Sequence, residues 1–113
     1  MERILEKAEK TEGGMNVIFH PLARRDIDEI HEYYGDISDS LPGKFDHDLQ
    51  GLLLAASEMP ERFHPVPGTS FRRINMRRFP HHILYMVSQA ERFLRVMLIR
   101  HDKRHPAVGL GRR

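Results

Sequence analysis

The chain has 113 residues, 40% of them hydrophobic and 30% charged, with 8 Gly and 7 Pro; this is ordinary globular usage, suits one domain, and excludes disordered or collagen-like architecture. The absence of cysteine excludes a disulfide framework, a thiolate nucleophile and a cysteine zinc site. The net charge of +2 conceals a division, because residues 1–71 hold 7 Lys/Arg against 14 Asp/Glu, a balance of −7, whereas residues 72–113 hold 11 against 2, a balance of +9.

Such asymmetry points to a face that meets an anion: RNA, DNA or an acidic protein. The plainer alternative is a basic sheet and an acidic helical layer neutralising each other within one fold. No apolar run approaches the roughly 18 residues of a membrane span, and the charged start MERILEKAEK is unlike a secretion signal. A cytoplasmic protein is expected.

Residues 1–14 carry only Ile4, Leu5 and Ala8 as apolar groups before Gly13-Gly14, which predicts a flexible arm. Asn16-Val17-Ile18-Phe19-His20 reads as a short strand, closed by Pro21 at the start of a helix. In that helix Ala23, Ile27, Ile30, Tyr34 and Ile37 form an apolar stripe, with Arg24, Arg25, Asp28, Glu29 and Glu32 toward solvent. After a turn from Gly35 to Ser40, a second helix begins near Pro42 with the stripe Phe45, Leu49, Leu52, Ala56 and Met59. The short connection predicts an antiparallel helical hairpin.

Pro60, Pro65, Pro67 and Gly68 predict a stiff loop from Met59 to Ser70. The period then becomes two. From Phe71 to Phe79, Ile74 and Met76 face the core, and Arg73, Asn75 and Arg77 an uncovered side. His82 to Val87 is the next strand. Phe93 to Arg100, apolar on both faces, is a central one, and a basic tail follows from His101. The expected fold is α+β: a small, mostly antiparallel sheet packed on an N-terminal helical hairpin, in the order β-α-α-β-β-β.

Motifs for nucleotide loops, zinc proteases, serine hydrolases and EF-hands are absent. Eight histidines raise the question of a metal, but His81 and His82 should point to opposite faces, and His101 and His105 lie beyond the helices. No metal or cofactor is expected. The stronger signal is basic: Arg72, Arg73, Arg77, Arg78, Arg100, Lys103, Arg104 and His105, with His82 and His101 alongside. This set suits phosphate or an acidic partner. RNA cleavage would need a base for the 2′-hydroxyl, cations for the phosphorane and an acid for the leaving oxygen, roles histidine and arginine fill without a metal.

Several segments in order resemble the RelE/ParE superfamily of type II toxin–antitoxin systems, which includes plasmid stabilisation toxins. They are Phe19-His20-Pro21-Leu22-Ala23 with Asp26-Ile27-Asp28-Glu29-Ile30 and Tyr33-Tyr34; Met59-Pro60 with Phe63-His64-Pro65; Phe71-Arg72-Arg73 with Arg78-Phe79-Pro80 and Ile83-Leu84-Tyr85; and Val96 to Pro106. The resemblance spans residues 16–108. The expected division is a flexible arm at 1–14, a toxin domain at 15–108 and a basic tail at 109–113.

It also implies a growth-arresting toxin neutralised by a cognate antitoxin, whose C-terminal segment wraps the sheet or the helical hairpin. ParE-like members block DNA gyrase and are not enzymes; RelE-like members cut mRNA on the ribosome. Under the second reading Arg73, His82 and Arg104 are the catalytic candidates, and Asn75 and a missing C-terminal tyrosine depart from the RelE pattern. Arg77, Arg78, Arg100, His101, Lys103 and His105 are binding candidates under either. Arg-Phe-Pro before the third strand and the His-x-x-Arg-x-Pro ending favour the ParE branch. An inactive interaction module and a homodimer stay open.

Overall fold

The structure, a computed structural model, describes residues 9–10 and 15–103. A two-residue strand, β1 (Glu9–Lys10), pairs antiparallel with β2 (Asn16–Phe19), so part of the expected arm joins the sheet. At the end of β2, His20 caps the first helix by accepting the Leu22 amide at Nδ1 (3.0 Å), and Pro21 occupies the first turn, where its missing N–H costs nothing.

Helix α1 (Pro21–Ile37) buries Ala23, Asp26, Ile27, Ile30 and Tyr34. Its last apolar residue, Ile37, is 60% exposed, a departure from the expected stripe explained by the helix ending there, with the Ser38 amide bonding the Tyr34 carbonyl. Helix α2 (Leu41–Glu58) buries Phe45, Leu49, Leu53 and Ala56. Leu53 takes the inner position expected of Leu52, which is half-buried, and Met59 lies past the helix end, 59% exposed. The two helices are clamped by His31 Nε2 and Asp46 Oδ1, 2.7 Å apart.

The expected loop contains one short strand, β3 (His64–Pro65), antiparallel to β4 (Arg72–Asn75). Arg72 anchors this segment by donating from Nη1 to the Phe63 carbonyl, at 2.6 Å. Strands β5 (His81–Ser88) and β6 (Phe93–His101) complete the sheet, whose order is β1-β2-β6-β5-β4-β3. Only β2 and β6 run parallel; the other pairs are antiparallel. Strand β6 is central as expected, with Leu94, Val96 and Ile99 buried against the helices and Phe93, Met97 and Leu98 half-buried. Both helices pack on one face of this mixed sheet, and the core joins Val17, Ile27, Phe45, Leu49, Ile74, Ile83, Tyr85, Leu94 and Val96. The other sheet face lacks a covering element among the described residues.

Tyr85 is fully buried on the helix side and donates its hydroxyl to the Pro60 carbonyl at 2.9 Å. Tyr85→Phe leaves that carbonyl without its donor, and urea unfolding should show a loss of about 1–3 kcal/mol with an unchanged slope. Burial pushes the phenols of Tyr34 and Tyr85 above their ordinary value of 10.0; the Tyr33 phenol adds to the effect at Tyr34, while Arg72 opposes it at Tyr85. The folded chain therefore keeps these protons to higher pH than the unfolded chain. That contribution is complete below the ordinary value and is lost as pH rises through the raised ones. Urea midpoints should fall as pH climbs past about 10, and less steeply in Tyr34→Phe.

Candidate functional site

The uncovered face of the sheet carries the basic row. Strand pairing sets Asn75 opposite His82 and His82 opposite Arg100, while Arg73 stands opposite Leu84, which faces Leu98. Directly paired residues project to the same side. Two rows therefore share this face, Asn75, His82 and Arg100 in one, and Arg73 with the apolar Leu84 and Leu98 in the other. A bulge between Leu84 and Tyr85 changes the register after these rows, so Tyr85 pairs with Val96 on the helix side.

Two pairs of polar groups on the face are engaged, whereas the buried Arg100 Nε has no hydrogen-bond partner among the described residues. Arg73 Nε donates to Asn75 Oδ1 at 2.9 Å, and His82 Nδ1 lies 2.8 Å from Asp102 Oδ1. Asp102 is held by its own amide, which donates to the Pro80 carbonyl at 2.7 Å. A histidine oriented by a carboxylate is a competent general base. The same carboxylate, however, places negative charge where a phosphate would sit. None of the three tyrosines lies on this face: Tyr33 and Tyr34 belong to α1, and Tyr85 is buried beneath the sheet.

The remaining candidates separate into two other places. Strand β4 ends at Asn75, so the alternation expected through Arg77 stops short. Arg77 and Arg78 instead line a cleft with His47, Asp48, Gly51 and Leu52 of α2. His101 and Lys103 turn toward α1, the His101 ring meeting His81 edge-on at 5.1 Å, and the Lys103 amide donating to His101 Nδ1 at 3.0 Å. Arg104 and His105 lie outside the described residues. The opposite faces expected of His81 and His82 are observed: His81 is 4% exposed on the helix side, and His82 is on the open face.

The sequence reading missed Asp26. Strand β2 ends opposite Val96, leaving β6 without that neighbour, and the Ile99 amide donates to Asp26 Oδ2 at 3.0 Å. The signal was present, since a carboxylate one position before Ile27 and four before Ile30 falls within the apolar stripe of α1. The ion pairs found among the described residues, His31–Asp46 and His82–Asp102, each join a histidine to an aspartate. Among the described residues no group of three His, Asp or Glu side chains could hold a metal, and no helix is long and apolar enough to cross a membrane.

A helical hairpin packed on one face of a small mixed sheet is the α+β fold of RelE/ParE-like proteins. The family model for the ParE toxin of the type II toxin–antitoxin system parDE matches residues 17–106, and the chain belongs to that family: it is a ParE-like toxin. Among solved structures it is similar to a chain of the chromosomal ParDE system from P. aeruginosa, at 16% identity and TM-score 0.67, covering 80% of this chain and 98% of that one. It is also similar to a chain of the RelBE2 toxin–antitoxin complex from Mycobacterium tuberculosis, at 17% identity and TM-score 0.56, covering 82% and 97%. The isolated RelE toxin of E. coli matches at 13% identity and TM-score 0.56, covering 84% and 92%. At these identities the structural likenesses establish the fold. No curated protein shows a significant sequence match.

Proposed function

We propose that this toxin acts in the cytoplasm on DNA gyrase rather than by cutting RNA, and that a cognate antitoxin neutralises it by covering the open face of the sheet. The observation that carries the choice of target is the composition of that face. Arg73 and Arg100 supply cations, but His82 is paired with the Asp102 carboxylate and no tyrosine is present. Metal-free cleavage needs cations free to stabilise a phosphorane and a proton donor for the leaving oxygen. Here a carboxylate stands within the row instead.

The antitoxin reading draws on the same surface. Arg73 and Arg100 flank the half-buried Leu84 and Leu98, so an amphipathic peptide carrying Asp or Glu beside apolar residues fits both rows. The related ParDE and RelBE2 structures are toxin–antitoxin systems. Inducing the chain in a bacterial host should stop growth, and co-expressing the reading frame beside its gene should restore it. Growth arrest should come with filamentation and continued protein synthesis; an immediate halt of translation with cleaved transcripts would support the alternative, a ribosome-dependent endonuclease using Arg73 and His82. Normal growth on induction of soluble protein would point to an inactive interaction module.

A further inference from the structure

Two depressions beside the helices differ in how their charges are used. The groove along α1 is bordered by Asp26, Glu29, His101 and Lys103, and the Asp26 carboxylate is already held by the Ile99 amide. The cleft along α2 has a volume of about 280 Å³, between His47, Asp48, Gly51 and Leu52 of the helix and Arg77 and Arg78 of the connection from β4 to β5. Among the described residues neither guanidinium makes a side-chain hydrogen bond or an ion pair, and Asp48 makes no ion pair.

The two arginines are presented on a fixed backbone. Met76 and Phe79, on either side of them, are buried, and the connection is closed by two bonds: the Met76 amide to the His81 carbonyl at 2.9 Å, and the His81 amide to the Phe79 carbonyl at 2.8 Å. Both arginine side chains stand exposed. On the other wall, Gly51 sits in the middle of α2, where glycine is among the least favoured residues. A Cβ at this position would meet nothing within 4 Å. Packing within the chain does not call for that glycine; a molecule lying against the helix would.

We propose that this cleft binds a guanine nucleotide, with its phosphate between Arg77 and Arg78 and its base against α2. Two guanidinium forks match the oxygens of a phosphate monoester. Asp48 in the same cleft would repel a bare anion, so the occupant must also carry donors. The pairing edge of guanine presents a ring N–H beside an amino group, which a carboxylate accepts together, whereas adenine presents a ring acceptor beside its amino group. The His47 ring and the half-buried Leu52 give the flat base a surface, and Gly51 leaves room for it. The cleft lies at the small end of ligand pockets, which favours a mononucleotide. Duplex DNA fits poorly, because residues 21–58 hold 9 Asp/Glu against 3 Lys/Arg and repel a polyanion. The site is apart from the open face, so it stands or falls independently of the antitoxin and of the gyrase reading.

Amide spectra of the full-length protein, titrated with guanosine monophosphate, adenosine monophosphate and inorganic phosphate, test the assignment. The guanine nucleotide should shift residues 47–52 and 77–78 saturably, with half-saturation below about 1 mM. It should bind about 5- to 150-fold more tightly than the adenine nucleotide, the discrimination of one bidentate base contact. Asp48→Ala should remove that preference, and Arg77→Ala with Arg78→Ala should abolish binding of both nucleotides in a chain that circular dichroism shows to be folded. Gly51→Ala should raise the melting temperature, since alanine favours a helix, and weaken guanine nucleotide binding several-fold. Unchanged binding in Gly51→Ala overturns the placement of the base. Equal affinity for all three probes would reduce the cleft to an unselective anion patch and overturns the proposal. Tighter binding of a DNA duplex, shifts centred on Arg73, His82 and Leu84, or no saturable shift overturn it as well.

Discussion

Phe45→Ala is expected to lower the free energy of unfolding by about 3–5 kcal/mol, the range for emptying a fully buried aromatic site. Phe45 is 0% exposed, and its ring lies 5.2 Å from Phe79, 5.5 Å from His81 and 6.2 Å from Tyr34. These neighbours come from three places in the chain: α1, the loop after β4 and the start of β5. A cavity here loosens the helical hairpin from the sheet. Domains of this kind hold only about 5–15 kcal/mol in total, so the melting temperature should fall by roughly 15–30 °C. A fall of only a few degrees would mean that the cluster relaxes to fill the gap, and that the hairpin is fastened mainly elsewhere.

Reversing two charges on the open face, Arg73→Glu with Arg100→Glu, should leave the fold intact and weaken antitoxin binding by about 30-fold to several thousand-fold, as for truncation of buried charged pairs at interfaces. Arg73 is exposed and Arg100 half-buried beside apolar neighbours, where a bound acidic side chain would be shielded from solvent. Calorimetry of the toxin with its antitoxin checks this, and circular dichroism of the free variant checks folding. In cells the variant should remain toxic even with antitoxin present. Wild-type affinity in the variant would move the antitoxin off this face, onto the outer side of the helical hairpin.

Much of this architecture was legible before any coordinates, for physical reasons that differ by element. The 3.6-residue stripe of α1 and the period of two around Ile74 follow from burial on one side, which sequence records directly. Apolar residues on both faces of Phe93 to Arg100 pointed to a central strand, and β6 has neighbours on both sides in the sheet. The basic row was partly legible. Arg73 and His82 were expected to share a face, and their strand register brings them close, but the extension to Arg77 failed because pairing stops at Asn75.

What sequence could not show were contacts between distant residues that periodicity does not encode. Asp26 meets Ile99, and His82 meets Asp102, through chain geometry alone. His101 and Lys103 flank Asp102 in sequence yet border the α1 groove, while Asp102 meets His82 on the open face, because the chain turns after His101. The charge asymmetry was likewise correct as arithmetic and incomplete as geometry. Its positive half is spread over the open face, the α2 cleft and the α1 groove, and its negative half contributes Asp26 and Glu29 to that groove.

Gyrase is the proposed target of this ParE-like toxin. The most direct test adds the purified, folded chain to DNA gyrase, ATP and relaxed plasmid, and follows supercoiling on agarose with a parallel lane of translating ribosomes and intact mRNA. Supercoiling should fall as toxin is added while the mRNA stays whole, and the antitoxin should restore supercoiling. Undiminished supercoiling together with mRNA cleavage that Arg73→Ala and His82→Ala abolish would contradict the account.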